Sequence, residues 1–165
     1  MPTLSYRPIE PSDLAFAWAL NQREVPRLGA TSFEEFTRLV RISRVATFAL
    51  VGGDPAGFLL GMTAEADYAS PNFLWFRARY PRFVYVDRIA VWASHRRLGV
   101  GAGLYDAAIR HATAERLPVV CCEVNLEPPN PDSLAFHEAL GFQRAGEQDA
   151  HGKRVAMLVL ATPGI

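Results

Sequence analysis

The chain has 165 residues, half of them apolar and about a fifth charged, and its 17 basic residues balance 17 acidic ones. That length and composition fit one domain with a core of its own, and zero net charge gives no electrostatic pull towards nucleic acid or a membrane surface. No apolar run approaches the roughly 20 residues that span a bilayer, no signal-peptide plan opens the chain, and the two cysteines are adjacent on a strand-like run, so a reduced cytoplasmic setting is expected.

Thr3–Arg7 reads as a first strand closed by Pro8. Pro11-Ser12-Asp13 opens a helix in which Leu14, Phe16, Ala17, Trp18 and Leu20 keep roughly helical spacing, and Asn21–Gly29 is a polar break. Ser32 followed by Glu35 is a capping-box pattern and predicts a helix over Phe33–Ile42. Val45–Val51 and Gly57–Thr63 read as a hairpin turning at Gly52-Gly53-Asp54-Pro55. Ala64–Arg82 carries Tyr68, Phe73, Trp75, Phe76 and Tyr80 with Pro71 and Pro81 and no clean period, and reads as a long loop. Val84–Trp92 is a strand, and a helix is predicted from Leu104 to about Arg116. Val119–Asn125 is a continuous apolar strand, broken by Glu127-Pro128-Pro129. Pro131–Leu140 is a short helix ending at Gly141, and Phe142–Ala145 with Arg154–Leu160 form a closing antiparallel pair around His151-Gly152. With no repeat, low-complexity tract or linker, this order predicts an α/β fold: one mixed sheet with helices on both faces, in a single domain over residues 1–165.

Between the strand at Val84 and its helix lies Arg96-Arg97-Leu98-Gly99-Val100-Gly101-Ala102-Gly103. A basic, glycine-spaced turn that opens a helix suits a pyrophosphate. Glycine lets backbone come close, the first helical N–H groups lack intrahelical acceptors, and the helix dipole adds partial positive charge.

Arg96, Gly99 and Gly101, following Ile89-Ala90-Val91, fit the acyl-CoA-binding motif of the GNAT N-acetyltransferases: Arg or Gln, two residues, Gly, one residue, Gly or Ala. Asn130–Phe142, with its Phe136-His137 pair and final Gly141-Phe142, resembles the second motif of the same family. On these two motifs the chain resembles the GNAT family over about Val45–Phe142, and within it a bacterial branch of unassigned substrate. The resemblance implies the GNAT, or acyl-CoA N-acyltransferase, fold, with its sheet splayed near Val91 and Val119. It also implies acetyl-CoA as cosubstrate and acetyl transfer to a primary amine by direct attack in a ternary complex. Backbone N–H groups from Arg97 through Leu98, Gly99, Val100 and Gly101 to Ala102, with Gly103 closing the turn, would hold the CoA pyrophosphate. Arg96 or Arg97 would add charge-assisted bonds. Ile89, Ala90 and Val91 would pair with the pantetheine arm as an added strand does, and one N–H there would face the thioester oxygen. Asn130 and Phe136 would contact the cofactor. Asn130 followed by Pro131 is equally an ordinary N-cap and N1 pair.

Glu123 sits inside the apolar run Val119–Val124, where an acid must be paired, solvated or used. Its counterpart in ribosomal-protein-type GNAT enzymes accepts the amine proton, and a carboxylate paired with Arg88 or solvent is the plain alternative. His137 stands where the family usually has a tyrosine acid for the departing thiolate. An imidazolium can serve that step, and a packing histidine is the alternative. Trp75 and Tyr80 fall where the family places acceptor-binding elements, or else form a satellite core. His95, His111 and His151 are scattered without ligand spacing, so no metal is expected. The expected partner is a small-molecule or peptide amine, with no nucleic acid and no membrane; the C-terminal strands offer an edge for a homodimer. Two other readings stay open. One is a CoA-binding sensor without transfer activity. The other is a dinucleotide-dependent enzyme, against which stand the early third glycine and the gap between Val91 and Gly99.

Overall fold

The elements begin where the sequence supplies caps and prolines. The computed structural model describes residues 1–165. Helix α1 (Leu14–Arg23) follows a 3₁₀ turn at Pro11–Asp13, and α2 (Phe33–Ile42) starts at Ser32, whose hydroxyl accepts from the Glu35 N–H at 3.0 Å. Helices α3 (Pro71–Arg77) and α5 (Pro131–Leu140) both carry proline at the first turn, where its missing N–H is harmless. Helix α4 covers Val100–Ala114. The strands are β1 (Leu4–Pro8), β2 (Val45–Val51), β3 (Asp54–Thr63), β4 (Val84–Val91), β5 (Val119–Glu127), β6 (Gln143–Ala150) and β7 (Lys153–Ala161). They form one mixed sheet in the order β1-β2-β3-β4-β5-β7-β6.

Several boundaries differ from the sequence reading; β6, for one, runs on to Ala150 where the reading stops at Ala145. The long loop holds α3, whose Phe73 and Phe76 are buried at helical spacing; seven residues are too few to show a period. Helix α4 starts at Val100 rather than Leu104, so Gly101, Ala102 and Gly103 form its first turn instead of preceding it. Asp54 and Pro55 belong to β3, which leaves Gly52-Gly53 as the hairpin turn.

The chain forms two compact units, Met1–Met62 with Arg88–Ala108 and Thr63–Asp87 with Ile109–Ile165. In the first, β1, β2 and β3 pair antiparallel, with Tyr6 opposite Ala49 and Phe48 opposite Phe58. The amphipathic face of α2 buries Phe36 against Phe58, their rings edge-on at 5.4 Å, and Phe48, Leu59 and Leu104 are also fully buried. Each such side chain contributes about 1.5–3 kcal/mol. In the second unit, β7 lies between β5 and β6, antiparallel to both. Phe73, Phe76, Phe83 and Tyr85 make its aromatic core.

Strands β4 and β5 pair parallel at Val84↔Val120 and Tyr85↔Cys121. The sequence reading opens the sheet near Val91 and Val119. The pairing stops at Tyr85↔Cys121, short of Val91, while Val119 lies next to the paired Val120 at the beginning of β5.

Candidate active site

The opening of α4 is built from backbone. Arg97 and Gly99 both take positive φ, 65° and 87°, a reversal that glycine adopts freely and arginine only under constraint. Val100 then buries its side chain, anchoring the first turn, while Gly99 and Ala102 stay exposed. This turn presents N–H groups that have no intrahelical acceptor, together with the positive end of a 15-residue helix.

The two arginines of the motif do different things. Arg96 donates to Glu24 at 2.7 Å and to the Val91 carbonyl at 3.3 Å, tying the turn to the end of α1. Arg97 is exposed on the strained reversal, three residues before the first residue of α4. Leu98 is exposed, Ala90 is buried, and Ile89 and Val91 are half-buried.

Gly103 packs closely against Tyr6. A Cβ there would lie 1.9 Å from the Tyr6 hydroxyl and 2.1 Å from the ring carbon that bears it. Gly103→Ala is therefore expected to destabilise the protein by about 1–3 kcal/mol through overpacking, measured as a lowered denaturation midpoint. Tyr6→Ala in the same chain should recover most of that loss. An unchanged midpoint in the single variant would contradict the close approach.

In the other unit, Glu123 lies on β5 opposite Met157 of β7 and is half-buried. The Tyr85 hydroxyl donates to its Oε1 at 2.5 Å. Burial pushes the Tyr85 phenol well above its ordinary ionisation, and the Glu123 and Asp87 carboxylates push the same way, so it remains a donor. The Tyr68 hydroxyl donates to Asp87 Oδ1 at 2.7 Å. Cys121 and Cys122 are buried and form no disulfide, and burial raises the Cys121 thiol, which keeps it unreactive.

Asn130 stands at the N-cap of α5, and its carbonyl takes the Leu134 N–H at 3.1 Å, yet its side chain makes no capping bond. The half-buried amide is thus not spent on the helix start. Phe136 is half-buried and meets the His137 ring edge-on. His137 is 3% exposed, set edge-on between Phe136 and Phe142, with Nδ1 2.7 Å from the Ser133 carbonyl. A carbonyl accepts only, so Nδ1 carries the proton and Nε2 of the neutral ring is an acceptor. Burial lowers the His137 pKa, partly offset by the Ser133 bond. Burial thus works against the charged imidazolium, and the Ser133 carbonyl works for it.

That shift has a sign in stability. The unfolded histidine takes a proton near its ordinary 6.5 and the folded one only at lower pH. Stability is thus full above about pH 6.5 and falls as acid is added through the folded value, by about 1.4 kcal/mol for each unit separating the two. His137→Gln should flatten the fall in melting temperature between pH 7 and 5; an unchanged slope would contradict the assignment. Asp13 and Glu35 are held below their ordinary 3.8 and 4.5 by hydrogen bonds from Arg7 and Arg38, so their losses come in stronger acid.

Trp75 packs on bare Gly146, where an added Cβ would lie 2.7 Å from the indole, and the Arg79 guanidinium covers its ring at 3.7 Å. Tyr80 follows α3, half-buried. No group of three or more His, Cys, Asp or Glu could hold a metal ion, and no helix is long and apolar enough to cross a membrane. The sequence reading missed Tyr85 and Tyr68 as partners of carboxylates. A tyrosine inside an apolar strand, whose hydroxyl must find an acceptor once buried, was the available signal.

The model of the acetyltransferase (GNAT) family matches residues 13–142. The chain is similar to the L-methionine sulfoximine/L-methionine sulfone acetyltransferase of Pseudomonas aeruginosa, 31% identical over 105 residues, which is 64% of this chain and 56% of that protein. It is also similar to the phosphinothricin N-acetyltransferase of Streptomyces viridochromogenes, 30% identical over 92 residues, 56% of this chain and 48% of that one. The chain spans about half the length of these curated relatives. Among solved structures, Arabidopsis thaliana NAA60 in complex with acetyl-CoA shares the fold, with a TM-score of 0.76 at 17% identity over 96% of this chain and 99% of that one.

Proposed function

The chain belongs to the acetyltransferase (GNAT) family, and from that premise we propose that it moves an acetyl group from acetyl-CoA to the primary amine of a small, amino-acid-like acceptor. The observation that carries this reading is the start of α4. Arg97 and Gly99 reverse the backbone at positive φ, Val100 pins the first turn, and the helix opens on the sequence expected to receive a pyrophosphate.

In this reading the N–H groups from Arg97 to Ala102 and the Arg97 guanidinium hold the diphosphate, while Arg96 braces the turn through Glu24. Backbone of Ile89–Val91 takes the pantetheine arm as an added strand, and an N–H there stabilises the negative charge that grows on the thioester oxygen. The acceptor arrives as an ammonium and must lose a proton before its nitrogen can attack. Glu123 takes that proton. The nitrogen lone pair then forms the C–N bond, the C–S bond breaks, and CoA departs as thiolate. The second nitrogen proton, shed as the amide forms, balances the thiolate through solvent. His137, neutral and tied to Ser133, holds α5 in this scheme rather than acting as the acid. Asn130, with its side chain unspent on capping, and Phe136 are the cofactor contacts from α5.

Support for an amino-acid acceptor comes from the two curated relatives, whose names give L-methionine sulfoximine, L-methionine sulfone and phosphinothricin. The test is release of CoA thiol from acetyl-CoA with L-methionine sulfone and a wider panel of primary amines. Amine-dependent release is expected. Tight acetyl-CoA binding with no release across the panel would make the protein a CoA sensor, and binding of NAD without CoA would make it a dinucleotide enzyme.

A further inference from the structure

Glu123 has a partner that the reaction scheme leaves unused. The Tyr85 hydroxyl sits 2.5 Å from Glu123 Oε1, and Tyr85 is 0% exposed. Its ring is held edge-on to Phe73 with centroids 5.6 Å apart and tilted against Phe76 at 5.8 Å, so the phenol has little freedom to turn elsewhere. The two residues come from adjacent parallel strands, Tyr85 level with Cys121 and Glu123 two residues further along β5. We propose that Tyr85 is a positioning residue for the base: its hydroxyl bonds Oε1 of Glu123, fixes the carboxylate's orientation and favours its ionised form. The inference rests on Glu123 acting as the base.

The chemistry of a phenol at this place supports the role. A hydrogen bond donated to a carboxylate stabilises its charged form, and a charge-assisted bond of this kind is among the stronger ones in proteins. The donor must keep its own proton, and Tyr85 does so because burial and the neighbouring carboxylates resist its ionisation. Among the groups near the pair are Asp87 on β4, which accepts from the Tyr68 hydroxyl, and Cys121 on β5, whose buried thiol stays neutral. During transfer an N–H bond of the ammonium breaks and an O–H bond forms on Glu123, while the Tyr85 proton stays on its oxygen.

Tyr85→Phe keeps the ring and its packing and removes only the donor. With side-chain carboxyls labelled with carbon-13, the Glu123 titration midpoint should move upwards in the variant, a readout that needs no acceptor. With acetyl-CoA and L-methionine sulfone, the rate should fall about 10- to 100-fold near neutral pH. The acidic limb of the pH–rate profile should shift towards higher pH, with partial recovery in alkali. In a Glu123→Gln background, Tyr85→Phe should add no further loss. An unmoved midpoint, or an equal loss in the Glu123→Gln background, would overturn the positioning role and leave the base in place. Full activity of Glu123→Gln alone would overturn both together, while the carboxyl titration would still report the contact.

Discussion

Glu123→Gln is expected to slow acetyl transfer by about 10²- to 10⁴-fold near neutral pH, while acetyl-CoA still binds. Glutamine keeps the size and the acceptor oxygen that Tyr85 needs, and removes the basicity. Met157 opposite on β7 and the half-buried setting of the side chain are unchanged, so the fold should hold. The loss should shrink as pH approaches the pKa of the amine, because an acceptor that arrives neutral needs no base. A rate equal to the parent at every pH would mean that the carboxylate serves only to satisfy Tyr85.

The second large effect is on binding. Gly101→Glu should weaken acetyl-CoA by about 10²-fold or more, since like-charge contact with a diphosphate costs several kcal/mol and each 1.4 kcal/mol is tenfold. Folding is not the cause to expect. An acidic side chain in the first turn of α4 favours the helix by about 0.3–1 kcal/mol through the dipole. A melting temperature at or above the parent, joined to lost affinity in calorimetry, is the predicted pair of results. Unchanged affinity would remove the start of α4 from the site.

What could be read from the sequence was what local chemistry decides. Ser32 and Glu35 marked the start of α2 because a hydroxyl three residues before an N–H caps it. The motif around Gly99 announced a reversal before a helix, and the positive φ values at Arg97 and Gly99 are that reversal. The true start of α4 was hidden because Gly101 and Gly103 suggest a turn by composition, whereas the buried Val100 side chain pins the helix there. Gly103 itself answers to Tyr6, a neighbour from the far end of the chain that no local pattern reveals. Helix α3 is too short for periodicity and is held by Phe73 and Phe76 packing on Tyr85. The Tyr85–Glu123 bond joins residues 38 positions apart through a parallel register, which alternation along one strand does not encode. For His137 the sequence leaves an acid and a packing role side by side, because its burial and its place between Phe136 and Phe142 come from tertiary contacts that no local pattern reveals.

The central claim is most directly tested by one reaction. The protein is mixed with acetyl-CoA bearing a carbon-13 acetyl group and with L-methionine sulfone, and both the amine and the intact protein are followed by mass spectrometry through a single turnover. The account predicts that the label appears on the amine nitrogen in step with free CoA, and that the protein never gains the mass of an acetyl group. Label on the protein before it reaches the amine, or no labelled amine from this or any other primary amine while acetyl-CoA is bound, would contradict it.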